Sequence, residues 1–311
     1  MLRDRKEELS LLFALAGFVI FGFSFIFTKQ ALSVSSLFVM LAARFSLAFI
    51  ILNLLILTGK FKINLKKGNL GLLLLLGVVQ PIIYFICESY GIKLSATSFV
   101  GTILALIPMV SLVFGVVLLK EKVKALQVFC TLASVFGVIL TAMGQASGTF
   151  SWAGFALLIG AVFSASLFNI ISRKISVDFS AFERTYVMFA LGSVTFVLIA
   201  LIQNGNNLQE MIIAPLTDFD FIVPIIFLAG LSSVGAFLMI NYAMTYLDVA
   251  RIAIFGNITT VISILVGVII LKESFGLYQL LGSIIIITSV YVVNRPALSR
   301  KIKMRKNESI K

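Results

Sequence analysis

With 311 residues, 60% of them hydrophobic and 12% charged, and a mean hydropathy of +1.12, the chain falls outside the range of soluble globular domains and within that of polytopic membrane proteins. It contains no histidine, which excludes histidine-based triads, imidazole zinc sites and histidine-ligated haem. Its net charge of +12 is carried in short basic clusters between apolar runs, where anionic lipid headgroups and not nucleic acid are the matching partner.

The basic opening "MLRDRKEELS" leads into an apolar run, Leu9–Phe27, that is too long for a signal-peptide core and lacks a small-residue cleavage pattern, so it reads as a retained first span. A membrane-crossing helix needs about 20 apolar residues. Further runs of that kind follow at Leu37–Leu57, Leu70–Tyr90, Ala96–Leu119, Ala125–Met143, Trp152–Ile171, Phe182–Ile202, Phe221–Tyr242, Val249–Leu271 and Tyr278–Val293. Helix is favoured over strand because the runs are long and show no ten-residue alternation. Cys87 and Cys130 both fall inside apolar runs, form no CxxC pair, and read as small core residues.

Cytoplasmic connections should collect Lys and Arg. With the N-terminus inside, Lys29, Lys93 and Lys272 are the basic residues that fall outside, Arg44 and Arg184 lie within spans, and all the others of the 25 group on the inner side. The connection "QNGNNLQEMIIAPLTDFD" from Gln203 is acidic and marks the exterior. Both termini are therefore expected in the cytoplasm, with residues 296–311 a basic tail against the membrane.

The chain also repeats itself. "SLVFGVVLLKEKVKALQ" from Ser111 aligns with "SILVGVIILKESFGLYQ" from Ser263, pairing Leu119-Lys120-Glu121 with Leu271-Lys272-Glu273, and Tyr90 meets Tyr242 upstream. With different gaps, the stretch from Phe23 aligns with that from Ser164 and brings Arg44 over Arg184. Each copy holds five spans, and because five is odd the second enters the membrane from the opposite side. The expected fold is thus an all-α membrane protein of ten transmembrane helices in two inverted five-helix repeats, residues 1–145 and 146–295. Inverted repeats supply two nearly equivalent conformations, one open to each side, as in many secondary transporters.

At these residues the sequence resembles the drug/metabolite transporter superfamily and, within it, the ten-helix EamA family. The match rests on the Gly-x-x-x-Leu-(Lys/Gly)-Glu close of the fourth helix of each repeat, on Pro108, on Tyr90-Gly91 leading into "LSATSF", and on an Arg early in the second helix of each repeat. Thr260 stands where the second repeat would usually carry proline. The resemblance implies a secondary transporter, an exporter of small metabolites or amino acids across the plasma membrane, with a site between the repeats. Nucleotide-sugar and drug or cation transport in the same superfamily are the alternatives. A membrane-embedded transferase is the rival from another class, but no span carries the Asp-rich motif that would hold a metal and a diphosphate. No P-loop is present, and no catalytic residue, metal or cofactor is expected. Expected partners are a small-molecule substrate and the lipid bilayer, with protons and a second copy of the chain left open.

Ionisable groups in a span are costly and point to function. Two readings of Glu88 stand side by side: a salt bridge to Arg44 at shared depth, or a place on the transport pathway. Arg184 is expected to anchor at the interface. The pathway candidates are Glu88, Arg44, Gln80, Tyr84, Tyr90, Asn169, Asn241, Tyr242 and Asn257, with Pro81 and Pro108 as helix-bending positions.

Overall fold

The computed structural model describes residues 2–59, 61–119, 125–144, 151–205, 207, 214–247, 249–273, 275–289 and 291–292. Among them there is no strand. The helices, numbered in chain order, are α1 (Leu2–Val34), α2 (Leu37–Leu57), α3 (Leu70–Leu94), α4 (Thr97–Leu104 and Ile107–Leu119), α5 (Ala125–Gly144), α6 (Trp152–Ile175), α7 (Ala181–Asn204), α8 (Phe219–Tyr246), α9 (Val249–Leu265, continuing as Val266–Ile270) and α10 (Leu277–Ser289). Seven helices among the described residues are long and apolar enough to cross a bilayer, and shorter apolar helices lie at Val128–Thr141, Ile258–Ile270 and Leu277–Ser289. This is an all-helical, multi-pass membrane protein. Glu121 and the tail 296–311 lie outside the described residues.

Local chemistry sets the ends and bends. Ser36, Ser151 and Ser180 each accept a backbone N–H at a helix start, and Ser180 and Glu183 complete a reciprocal capping box. Gln80 takes extended angles, φ −143° and ψ 115°, inside α3, as expected of a residue pushed from helical geometry by the following Pro81. The break in α4 at Ala105 and Leu106 has a similar origin: Pro108 lacks an N–H, and its ring crowds the carbonyl of Leu104 four residues back. In α9 no such break occurs, and Thr260 instead donates to the Gly101 carbonyl at 3.1 Å, stitching α9 to α4.

Helices α2 and α7 pack along their length, with Phe45 packed on Phe85, Phe189 and Phe196, and the Ser46 and Ser193 hydroxyls 3.0 Å apart. One end of the bundle, the α3–α4 end, gathers the C-termini of α1, α3 and α9 and the N-terminus of α4; there Lys29 pairs with Glu273 at 2.8 Å. The opposite, α8–α9 end gathers the N-terminus of α1, the α2–α3 connection and the α6–α7 turn, with Lys6 over the Tyr246 ring and Glu183 accepting from the Asn64 N–H at 2.8 Å.

Helix crossings rely on small residues, which let backbones approach. A Cβ on Gly101 would overlap the Ser263 side chain, where α4 crosses α9. Gly101→Val should therefore destabilise the protein by about 1–3 kcal/mol through overpacking. Thermal unfolding in detergent micelles checks this, and an unchanged midpoint would count against the crossing.

Candidate functional site

A cavity of about 110 Å³ lies between α1, α3, α4, α6, α8 and α9, with Arg44 of α2 reaching its wall. Since a water needs roughly 10–15 Å³ of such space, there is room for a small organic solute. Most of the wall is apolar. Phe18, Phe21 and Phe25 come from α1, Phe85 and Tyr84 from α3, Phe168 from α6 and Phe237 from α8, with Leu104, Ile107 and Pro108 from α4 and Ile252, Gly256, Thr259 and Thr260 from α9. The break at Pro108 and the non-helical Gln80 both sit on this wall, where freed backbone groups can be tolerated because they face a cavity and not lipid.

The cavity is off-centre. At about 1.5 Å per residue, Glu88 and Leu104 lie roughly 9–10 Å short of the α3–α4 end of their helices, whereas Met244 and Ile252 lie within about 5 Å of the α8–α9 turn.

Five of the polar candidates converge on this space: Arg44, Gln80, Tyr84, Glu88 and Asn169. Glu88 and Arg44 do not form a salt bridge. Glu88 Oε1 accepts from the Tyr84 hydroxyl at 2.7 Å, one helical turn away. Arg44 donates from Nε to Ser233 Oγ at 2.9 Å and from Nη2 to Ser232 Oγ at 3.0 Å, and its guanidinium lies 4.4 Å from the Phe85 ring centroid. The α8 serines and the aromatic face have taken the bidentate edge that a carboxylate would use. The Glu88 carboxyl and the Arg44 guanidinium thus border one cavity from different helices without direct contact. Gln80 adds an amide oxygen that is buried and has no hydrogen-bond partner among the described residues. Asn169 makes one long bond, 3.4 Å to Ser111 Oγ. Acceptors at Glu88 and Gln80 and donors at Arg44 and Asn169 therefore border a space lined by seven aromatic rings.

The other candidates lie elsewhere. Tyr90 packs edge-on against Phe38, and Tyr242 packs against Phe13 and Tyr246. Asn241 belongs to a second buried cluster around Arg184, which is fully buried and not anchored at an interface as expected. Arg184 donates to the Ser172 carbonyl and hydroxyl at 2.9 and 2.6 Å, to the Asn241 carbonyl at 2.8 Å and to Thr245 Oγ1 at 2.9 Å. The Asn241 side chain closes the network through Ser172 and Thr185, both at 2.9 Å. Hydroxyls and carbonyls of α6 and α8 satisfy the guanidinium inside the bundle. The backbone of Asn257 belongs to α9, while its side chain lies outside the described residues. Pro81 is buried behind the cavity wall.

Sequence reading missed most of the aromatic lining, Phe237 and Phe21 above all. With 29 phenylalanines in the chain, no signal separates cavity rings from packing rings.

The EamA-like transporter family model matches this chain twice, over residues 8–143 and 152–295. The chain belongs to the EamA-like transporter family. The EamA-like chain is 30% identical over 293 residues to the uncharacterized transporter YcxC of Bacillus subtilis, covering 93% of this chain and 94% of that relative. It is 24% identical to the uncharacterized transporter YetK of the same organism, over 89% and 84% of the two chains. An uncharacterized transporter of Archaeoglobus fulgidus is 21% identical over 88% of this chain and 94% of its own length. A solved structure described only as the crystal structure of a protein superposes with a TM-score of 0.66 at 14% identity, over 94% of this chain and 97% of that one, a likeness of fold alone. An EamA-like multi-pass membrane protein with these relatives is a membrane transporter, and its family points to transport and not to catalysis.

Proposed function

We propose that this EamA-like protein is a secondary transporter that exports small metabolites or amino acids across the plasma membrane by alternating access. Two inverted five-helix segments, residues 1–145 and 146–295, would exchange poses around the cavity, with both termini cytoplasmic. The inversion is supported by the placement of the arginine pair: Arg44 lies in the half of α2 toward the α3–α4 end, and Arg184 in the first turn of α7 at the α8–α9 end.

One observation carries the substrate reading. Arg44 and Glu88 border the same cavity with opposite charges and no ion pair between them. A net-neutral zwitterion completes both: its ammonium meets Glu88 and the orphan oxygen of Gln80, its carboxylate meets Nη1 of Arg44, the nitrogen that the two serines do not engage, and its apolar body lies among the rings. Desolvating the two substrate charges is costly, and the opposite charges and hydrogen-bonding groups already in place offset that cost. Glu88 is also the group that would carry a proton if flux is coupled to one.

The aromatic wall supports a second reading, a drug or organic cation held by Glu88 and the ring faces alone. A nucleotide sugar is disfavoured, since Arg44 is the sole basic side chain among the described lining residues. Liposomes containing the purified protein and loaded with labelled leucine, phenylalanine, glutamate or tetraphenylphosphonium, with and without a pH gradient, separate these readings. Release of leucine or phenylalanine above protein-free liposomes is expected. Release of the phosphonium alone would favour the cation, and no release of any solute would remove the proposal.

A further inference from the structure

The Leu-Lys-Glu motif that closes α9 does not line the cavity, yet it ends in the most heavily bonded carboxylate of the α3–α4 end. Lys272 takes a left-handed conformation, φ 52°. This folds the chain back, so that the Leu271 N–H reaches the Val266 carbonyl at 3.1 Å and the Glu273 N–H reaches that of Gly267 at 2.9 Å. The turn aims Glu273 across at α4. Its Oε1 accepts from the Thr97 N–H at 2.7 Å and from Lys29 Nζ of α1 at 2.8 Å, and its Oε2 accepts from the Ser98 N–H at 2.9 Å and Ser98 Oγ at 3.0 Å.

Two of the donors are backbone N–H groups at the start of α4, which have no partner inside their own helix and carry the positive end of its dipole. Gly267 makes the seat: a Cβ there would fall 2.5 Å from Glu273 Oε2 and 3.0 Å from the Ser98 nitrogen. The spacing Gly-x-x-x-Leu-Lys-Glu thus has a mechanical sense, since the glycine leaves the room into which the turn returns the carboxylate. Burial works against ionisation of Glu273, and the Lys29 ammonium together with the Ser98 and Thr97 N–H groups outweighs it, holding the carboxyl below its ordinary value.

These contacts join the two family-matched segments, Lys29 and α4 from the first and Glu273 from the second. They sit above the crossing of α4 and α9 at Gly101 and Ser263, on the side to which the cavity does not extend. We infer that Glu273 is the latch of the outer gate: by capping α4 and pairing with Lys29 it holds the transport path closed at the α3–α4 end, and it must let go before that end can open. This rests on the alternating-access reading above. The bonding suits a reversible device, because the released N–H groups and the half-exposed Lys29 can be taken over by water at the surface.

Ser24 lines the cavity and serves as the reporter, changed to cysteine in a full-length chain whose Cys87 and Cys130 are alanine. A charged, impermeant methanethiosulfonate is applied to right-side-out and inside-out membrane vesicles, and labelling rates are compared. Glu273→Gln should raise the rate from the α3–α4 face by about tenfold and lower it from the opposite face, the population shift expected when one state loses a charge-assisted contact. Lys29→Met should do less. The exchange Lys29→Glu with Glu273→Lys should not restore closure, because an ammonium cannot accept the α4 N–H groups. Gly267→Ala, which crowds the seat and keeps every charge, should shift labelling in the same direction and serves if Glu273→Gln does not reach the membrane.

Unchanged labelling, an equal rise from both faces, or rescue by the exchanged pair would each overturn the latch. If the parent reporter cannot be labelled from the α8–α9 face at all, it is the alternating-access reading that fails.

Discussion

Glu88→Gln should lower substrate flux in proteoliposomes by about 10- to 100-fold, since a hydrogen bond to a charged group contributes roughly 1.5–3 kcal/mol. The amide is nearly isosteric and can still accept from the Tyr84 hydroxyl, so the 2.7 Å bond within α3 is retained and the bundle should remain intact. What is lost is the negative charge opposite Arg44. An unchanged thermal midpoint beside a collapsed flux is the expected pair of results. If flux also persists, Glu88 belongs to the scaffold and the cavity does not bind through charge. Proton coupling would show in the same vesicles, because the glutamine variant should lose any acceleration that an imposed pH gradient gives the parent protein.

The second large effect concerns Arg184. Its guanidinium is fully buried and bridges α6 and α8 from the first turn of α7 through the Ser172, Asn241 and Thr245 oxygens. Arg184→Met fills similar volume but leaves these acceptors facing an apolar chain, and a destabilisation of about 3 kcal/mol is expected. Relief of the buried charge offsets part of the loss, and the multiple charge-assisted bonds outweigh that relief. Arg184→Lys should fall between, because one ammonium cannot span both the Ser172 and the Thr245 sides as a planar fork does. Thermal unfolding in detergent would measure both, and a methionine variant as stable as the parent would refute the account.

The contrast between the two arginines shows how far sequence reading reaches. Both are visible as charges in apolar runs, and their alignment across the repeat is plain from residue spacing. Their surroundings are not. Arg44 has turned its fork onto Ser232 and Ser233, some 190 positions away in sequence, which is why it leaves Glu88 unpaired despite their shared depth. Arg184 ignores the adjacent Glu183, whose carboxylate is occupied by the Ser180 cap and the Asn64 N–H. Likewise Asn241, Tyr242 and Asn169 are equal candidates by sequence, and only tertiary packing decides that Asn241 joins the Arg184 cluster, Tyr242 packs on Phe13 and Tyr246, and Asn169 reaches the cavity.

By itself the sequence determined that the chain is a helical, multi-pass membrane protein of the EamA-like transporter family, because apolar length and the repeated Gly-x-x-x-Leu-Lys-Glu spacing survive without knowledge of neighbours. Which side of each helix faces the solute was decided by tertiary structure alone. In a bilayer the lipid-facing and bundle-facing sides are both apolar, so hydrophobic periodicity carries no direction. The ring-lined cavity and the seat of Glu273 therefore emerge only once the helices cross.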